Sequence, residues 1–277
     1  MGTTLISERY IEVNGAALRV RSAGAGPAVV LVHGWALDLD MWQPQLELLA
    51  DHYHVVAFDR RGFGLSSGAP SIEQDVRDVD RLLNHLNVTR ATIVGMSQGA
   101  RVAMRWALKD PERVSCLILD GPPAEAWSPS LDAPEIPIDE YRYRVRYEGI
   151  DAFRRAWLPH PFMQLHTSAP RTHELLRDMV TRYPALDLLN DDLPAVRPIS
   201  LRDLRRLDVP ALIVSGQHDS AQRRTIASKL ADGLPDAQVQ ILRGAGHLAA
   251  LDDAETYAKV LHKFLSTRRR WSTAQAV

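Results

Sequence analysis

Apolar residues follow two rhythms along this chain. Short unbroken runs such as Ala28–Val32 suit strands buried on both faces, while longer stretches repeat an apolar position every three or four residues, as helices do. Val55–Phe58, Ala91–Val94, Val114–Leu119, Val209–Ser215 and Val239–Leu242 read as further strands. Between them, Ile72–Leu86 puts Ile72, Val76, Val79, Leu82, Leu83 and Leu86 on one helical face. Ala100–Leu108, Arg223–Leu230 and Ala254–Phe264 also read as helices. Near the start, Tyr10–Val13 and Ala17–Arg21 flank Asn14-Gly15, a hairpin signal because both turn residues can take positive φ. The alternation predicts an α/β fold: a mostly parallel central sheet flanked by helices.

The rhythm breaks at Gly121-Pro122-Pro123. From there to Ser200 prolines recur and no buried strand is evident, only short amphipathic pieces such as His173–Arg182. The expected organisation is a first core part at 1–121, an inserted helical cap at 122–200, and a second core part at 201–277. One stretch reads two ways. Tyr141–Tyr147 alternates as a strand would, yet Ile138, Tyr141 and Val145 also share a helix face. Arg268–Val277 turns basic and then polar, and is expected to fray.

Composition narrows the partners. The 277 residues carry a formal net charge of −1, with 45% hydrophobic and 24% charged residues, which is ordinary globular composition. Such a balance offers no electrostatic reason to expect nucleic acid or an anionic membrane surface. No apolar run reaches the length of a membrane span, and Met1–Val13 lacks a signal-peptide design, so a cytoplasmic location is expected. The single cysteine, Cys116, excludes an internal disulfide and reads as a core residue. No metal-ligand spacing or phosphate-loop lysine occurs, so no metal and no nucleotide cofactor is expected.

The sharpest chemical signal is Gly95–Gly99, Gly-Met-Ser-Gln-Gly, set between a strand and a helix. A tight strand-to-helix turn of this kind holds Ser97 in a strained conformation with its hydroxyl exposed, and the flanking glycines avoid Cβ clashes. A serine needs a base, and the base an orienting carboxylate. Among ten histidines, His247 lies in the glycine-rich loop Arg243–His247, directly after a strand. His33 reads as a structural turn residue, and His160, His166 and His173 fall in the cap. Asp219 follows the strand ending near Ser215, with Gly216 available for a close approach. Asp120, at the end of Val114–Leu119, is a rival orienter. Parallel strands end on one sheet edge, where such folds bind ligands. An acyl-transfer site also needs two N–H donors for the developing oxyanion; Gln98 and Trp35 are the candidates. Asp59 and Arg60 read as a turn ion pair.

These residues together resemble the α/β-hydrolase superfamily. The resemblance is carried by His33-Gly34-Trp35, Asp59–Ser66, Gly95–Gly99, Asp219 and Gly244–His247, in the chain order Ser, Asp, His that this superfamily uses. Asp40-Met41-Trp42 after the first loop is similar to aryl esterases and cofactor-free haloperoxidases. Asp110–Val114 after the elbow resembles the 3-oxoadipate enol-lactonase-like group. The resemblance implies a cofactor-independent serine hydrolase acting on a small-molecule carboxylic ester or lactone. Carbon–carbon bond hydrolysis, perhydrolase chemistry and a slow-turnover ligand receptor stand as alternatives. Trp127, Tyr141, Phe153, Trp157, Phe162 and Met163 are expected to line the pocket from the cap. Arg142, Arg144, Arg146, Arg154 and Arg155 are expected to form a solvated face. A homo-oligomer is compatible with the sequence, which does not specify one.

Overall fold

The computed structural model describes residues 5–125, 135–191 and 196–272. Its strands are β1 (Ile6–Val13), β2 (Ala16–Ala23), β3 (Ala28–Val32), β4 (His54–Phe58), β5 (Ala91–Met96), β6 (Val114–Asp120), β7 (Ala211–Gly216) and β8 (Ala237–Leu242). They form one eight-stranded sheet in the order β1-β2-β4-β3-β5-β6-β7-β8. The pairs β1–β2 and β2–β4 are antiparallel and all others parallel. The β1–β2 hairpin is longer than its apolar signal. In its turn Gly15 takes a positive φ of 68° while Asn14 does not.

The helices are α1 (Gln43–Leu49), α2 (Ile72–His85), α3 (Gln98–Lys109), α4 (Ile138–Tyr143), α5 (Ile150–Trp157), α6 (Pro170–Arg182), α7 (Leu186–Leu189), α8 (Leu201–Leu204), α9 (Ala221–Gly233), α10 (Ala249–Asp252) and α11 (Ala254–Ser272). On one sheet face Val30, Val32, Ile93, Leu117 and Leu119 pack with Val79 and Leu82 of α2, Trp106 of α3 and Ile226 of α9. On the other face Val29, Leu31, Val94, Ile118 and Val214 pack with Leu46 of α1 and Tyr257 and Leu261 of α11. Both faces of the central strands are buried, so their sequence is apolar without alternation. By contrast β8, at the sheet edge, is exposed from Gln238 to Ile241.

Between β6 and β7 the described residues form α4 to α8 and contain no strand. The ambiguous Tyr141–Tyr147 stretch is helical: α4 runs into a π-helical turn at Arg144–Glu148. Helical spacing wins because it buries Tyr141 and Val145 together while Tyr143 and Tyr147 face solvent. Here Arg142, Arg144, Arg146 and Arg154 pair with Asp139, Glu140 and Glu148, Asp191 and Asp151 on the surface.

Two expectations are corrected. Helix α11 runs through Arg268 to Ser272, so residues 268–272 are helical, while 273–277 lie outside the described residues. The Arg268 guanidinium lies 2.8 Å from Asp236 and over the Phe264 ring, which ties the last turns to the body. Arg60 does not pair with Asp59. It pairs with Asp75 of α2 at 2.7 Å, while Asp59 accepts the Leu39 and Leu65 N–H groups and faces Arg19 at 3.7 Å.

Candidate active site

Sheet register brings the chemistry to one place. Val32 pairs with Gly95, Met96 with Asp120, Asp120 with Val214, and Gly216 with Leu242. The segments leaving β3, β5, β6, β7 and β8 therefore emerge along a single edge, carrying His33–Trp35, Ser97, Gly121, Asp219 and His247.

Ser97 stands between β5 and α3 with φ 50° and ψ −116°, a conformation that side-chain-bearing residues rarely adopt. The turn is pinched on both sides. A Cβ on Gly95 would lie 2.3 Å from the Gly99 carbonyl oxygen, and one on Gly99 would lie 2.3 Å from that of Val32. Only glycine fits at either position.

His247 Nδ1 lies 2.9 Å from Asp219 Oδ2, and both side chains are buried. A carboxylate can only accept, so the imidazole proton sits on Nδ1 and leaves Nε2 with its lone pair. Asp219 Oδ1 accepts the Ser220 N–H at 2.7 Å. Burial alone would raise the Asp219 carboxyl, but His247, the Arg223 charge and the Ser220 N–H hold it below its usual value. The loops carrying the two residues meet closely, since a Cβ on Gly216 would lie 2.0 Å from the Gly246 carbonyl oxygen.

Asp120, the rival carboxylate, is fully buried and faces the Tyr257 hydroxyl rather than His247. Burial, reinforced by the Asp219 charge, pushes it well above the ordinary carboxylate range. It does not hold His247.

The Trp35 and Gln98 backbone N–H groups have no protein acceptor among the described residues. The Gln98 side chain is held by Arg60, whose Nη1 donates to Oε1 at 2.7 Å. His33 is a buried strut. Its Nε2 accepts the Arg60 N–H at 2.9 Å and its Nδ1 lies 2.8 Å from the Gly34 carbonyl oxygen; burial and the Arg60 charge push it down to about 3.

Ser97 and His247 open onto one small cavity, lined also by Trp35, Leu37, Met96, Ile136, Trp157, Phe162 and Met163 and roomy enough for about one water molecule. Phe162 stacks on the His247 ring at 4.2 Å, and the Arg223 guanidinium lies 4.8 Å from the centre of the Phe162 ring. Tyr141 and Phe153 do not reach the cavity. They pack behind it, against Trp35 and Trp157, because the aromatic cluster is two rings deep. Trp127 lies outside the described residues.

Sequence reasoning missed the contacts that seat the helical segment on the core. Trp35 Nε1 donates to Asp187 at 2.6 Å, and Arg182 bridges Asp38 and Asp40. Asp252 accepts the His166 and Thr167 N–H groups through Oδ1 and the Gly246 N–H through Oδ2. No helix among the described residues is long and apolar enough to cross a membrane, and no cluster of three metal-ligating side chains occurs among them.

Comparison with known proteins places this geometry among relatives. Residues 27–254 match the family model described as the alpha/beta hydrolase fold. The chain is 29% identical to a pimeloyl-[acyl-carrier protein] methyl ester esterase of Pectobacterium atrosepticum, over 90% of this chain and 98% of that protein. It is 26% identical to a 2-hydroxy-6-oxo-6-(2'-aminophenyl)hexa-2,4-dienoic acid hydrolase of Metapseudomonas resinovorans, over 97% and 94%. Among solved structures it is similar to the enol-lactonase of Burkholderia xenovorans LB400, with a TM-score of 0.73 and 27% identity, over 93% of this chain and all of that one.

Proposed function

Since the chain belongs to the α/β-hydrolase-fold family, we propose that it is a serine hydrolase cleaving a carboxylic ester or lactone through an acyl-enzyme. The observation that carries this reading is the Asp219–His247 hydrogen bond beside a strained Ser97, with both Ser97 and His247 lining one small cavity.

In this mechanism Ser97 Oγ attacks the substrate carbonyl carbon as His247 Nε2 takes its proton. Asp219 keeps the imidazole in the tautomer that makes Nε2 the base and stabilises the imidazolium. The carbonyl oxygen becomes an oxyanion received by the N–H groups of Trp35 and Gln98, a contribution worth about 10²–10³ in rate per donor. Collapse expels the alcohol oxygen, which takes the proton from His247. Water then gives a proton to His247 and attacks the acyl carbon, releasing the acid and restoring Ser97. Residues 122–200 act as the cap over this chemistry, and Trp157, Phe162 and Met163 set the shape of the pocket. No cofactor enters any step.

Two measurements test the proposal. A fluorophosphonate should add stoichiometrically to Ser97, read by mass spectrometry, and Ser97→Ala should abolish turnover of p-nitrophenyl esters and lactones. Folded protein that gives no adduct would leave a ligand receptor as the better reading. An intact adduct with no ester or lactone turned over would move the same residues to cleavage of another bond.

A further inference from the structure

Apart from Ser97 and His247, the cavity is lined by apolar and aromatic side chains. Among the described lining residues there is no lysine or arginine. The nearby guanidinium, Arg223 behind Phe162, is committed to Glu135 at 2.8 Å and to the Gly121 carbonyl oxygen at 2.8 Å. A carboxylate brought into this space would lose its water and meet no lysine or arginine among the described lining residues.

One polar group there is unmet. Trp157 is 1% exposed and is one of the lining residues, and its buried Nε1–H has no acceptor among the described residues. The indoles of Trp35 and Trp106 are differently placed, since each donates to a carboxylate, Asp187 and Asp80. Trp42 also lacks an acceptor, but it packs against Tyr257 and does not line the cavity. Buried donors are almost always matched in folded proteins. An unmatched one on a residue that lines a substrate cavity is a candidate donor to substrate. Phe153 and Tyr141 pack around the Trp157 ring and hold it in place.

We infer that this pocket takes a neutral, compact ester or lactone bearing a second acceptor oxygen, an ether, hydroxyl or ring oxygen, and that Trp157 Nε1–H binds that oxygen. The inference rests on the hydrolase reading above and deepens it by assigning a specificity residue that touches substrate away from the reacting carbonyl. A site with a buried donor discriminates against analogues lacking the acceptor, because the donor is then left unpaired.

The test compares isosteric substrates in which an ether oxygen replaces a methylene: p-nitrophenyl methoxyacetate against the butyrate for the acyl side, and 2-methoxyethyl acetate against butyl acetate for the alcohol side. In Trp157→Phe the kcat/KM ratio of oxygen-bearing to methylene substrate should fall about 5- to 10-fold in one of the pairs, as loss of one neutral hydrogen bond implies. Using the ratio within one variant cancels any loss of folded protein. Should turnover of these esters be too slow, the same pairs are compared as ligands of Ser97→Ala by calorimetry, with and without Trp157→Phe, and the same selective loss is expected. Equal changes for both members of both pairs would overturn the role of Trp157. A p-nitrophenyl hemisuccinate hydrolysed faster than its methyl ester would overturn the neutral-substrate assignment. Either result leaves the hydrolase reading standing, because that reading is tested separately by the fluorophosphonate adduct on Ser97 and by the loss of ester and lactone turnover in Ser97→Ala.

Discussion

In the proposed mechanism Ser97 carries a backbone cost that the chemistry requires and the fold does not. Its φ of 50° and ψ of −116° are freely available to glycine, and its hydroxyl makes no cap bond to α3. A non-glycine residue in such a region costs on the order of 1–3 kcal/mol, against which glycine's greater unfolded-state freedom takes back about 0.5–1 kcal/mol. Ser97→Gly should therefore unfold about 2 °C higher in calorimetry while hydrolysing nothing; an equal or lower Tm would show that the elbow is not strained. The two carboxylates make a second contrast. Asp219→Asn should cut turnover by about 10⁴, by analogy with the best-studied triad acid, and Asp120→Asn only modestly. Their stabilities should also differ in sign. Asp120 is raised in the folded state, so it favours folding while protonated in both states, below its unfolded value near about 4, and loses that advantage as pH rises toward the folded value. The Tm gain of Asp120→Asn over the parent should grow from near zero at about pH 4 as the pH rises; a gain independent of pH would deny that burial raises Asp120. Ser97, Asp219 and His247 could be picked out from sequence because each follows an apolar strand in a glycine-bearing turn. The residues supporting them could not be: Arg60 reaches Gln98 across 38 positions and Arg223 reaches Glu135 across 88, and no local pattern marks such pairs.

At the scale of elements, Asp252 on α10 joins the segment between β6 and β7 to the loop of His247, since one carboxylate takes N–H groups from both. Asp252→Ala strands those donors and should cost about 1–3 kcal/mol in urea unfolding. It should also lower kcat more than it raises KM, because His247 loses a fixed loop. A destabilised variant with unchanged kcat would confine Asp252 to a structural role. The elements themselves were legible where burial is two-sided or one-faced and sustained, as in β3, β5 and α2. Helix α1 left no comparable signal: its seven residues bury only Gln45, Leu46 and Leu49. Tyr141–Tyr147 misleads locally because alternate tyrosines imitate a strand, and the choice is made by the aromatic cluster around Trp35 and Trp157 that Tyr141 joins.

Across the whole molecule, stability should be graded from sheet to surface. The central strands are buried on both faces and paired on both edges, whereas α4, α7 and α8 are short and half-exposed. Native-state hydrogen exchange should find the slowest amides in β3, β5, β6 and β7 and markedly faster ones in α4, α7 and α8. Uniform protection throughout would mean that the helical segment unfolds only with the sheet.

The position of that segment in the topology has a consequence for descent. Strands β6 and β7 are parallel neighbours, so the chain must travel the length of the sheet between Asp120 and Ala211 whatever it does on the way. The ladder from Leu117–Asp120 to Ala211–Val214 is set by the strands alone and is indifferent to the length of the detour. A lineage can thus lengthen, shorten or re-line the detour while Ser97, Asp219 and His247 stay in register. On the proposed mechanism, changes in that stretch that spare its ties to Asp252, Trp35 and His247 can alter the diet while the reacting groups keep their places, a division of labour between appetite and digestion.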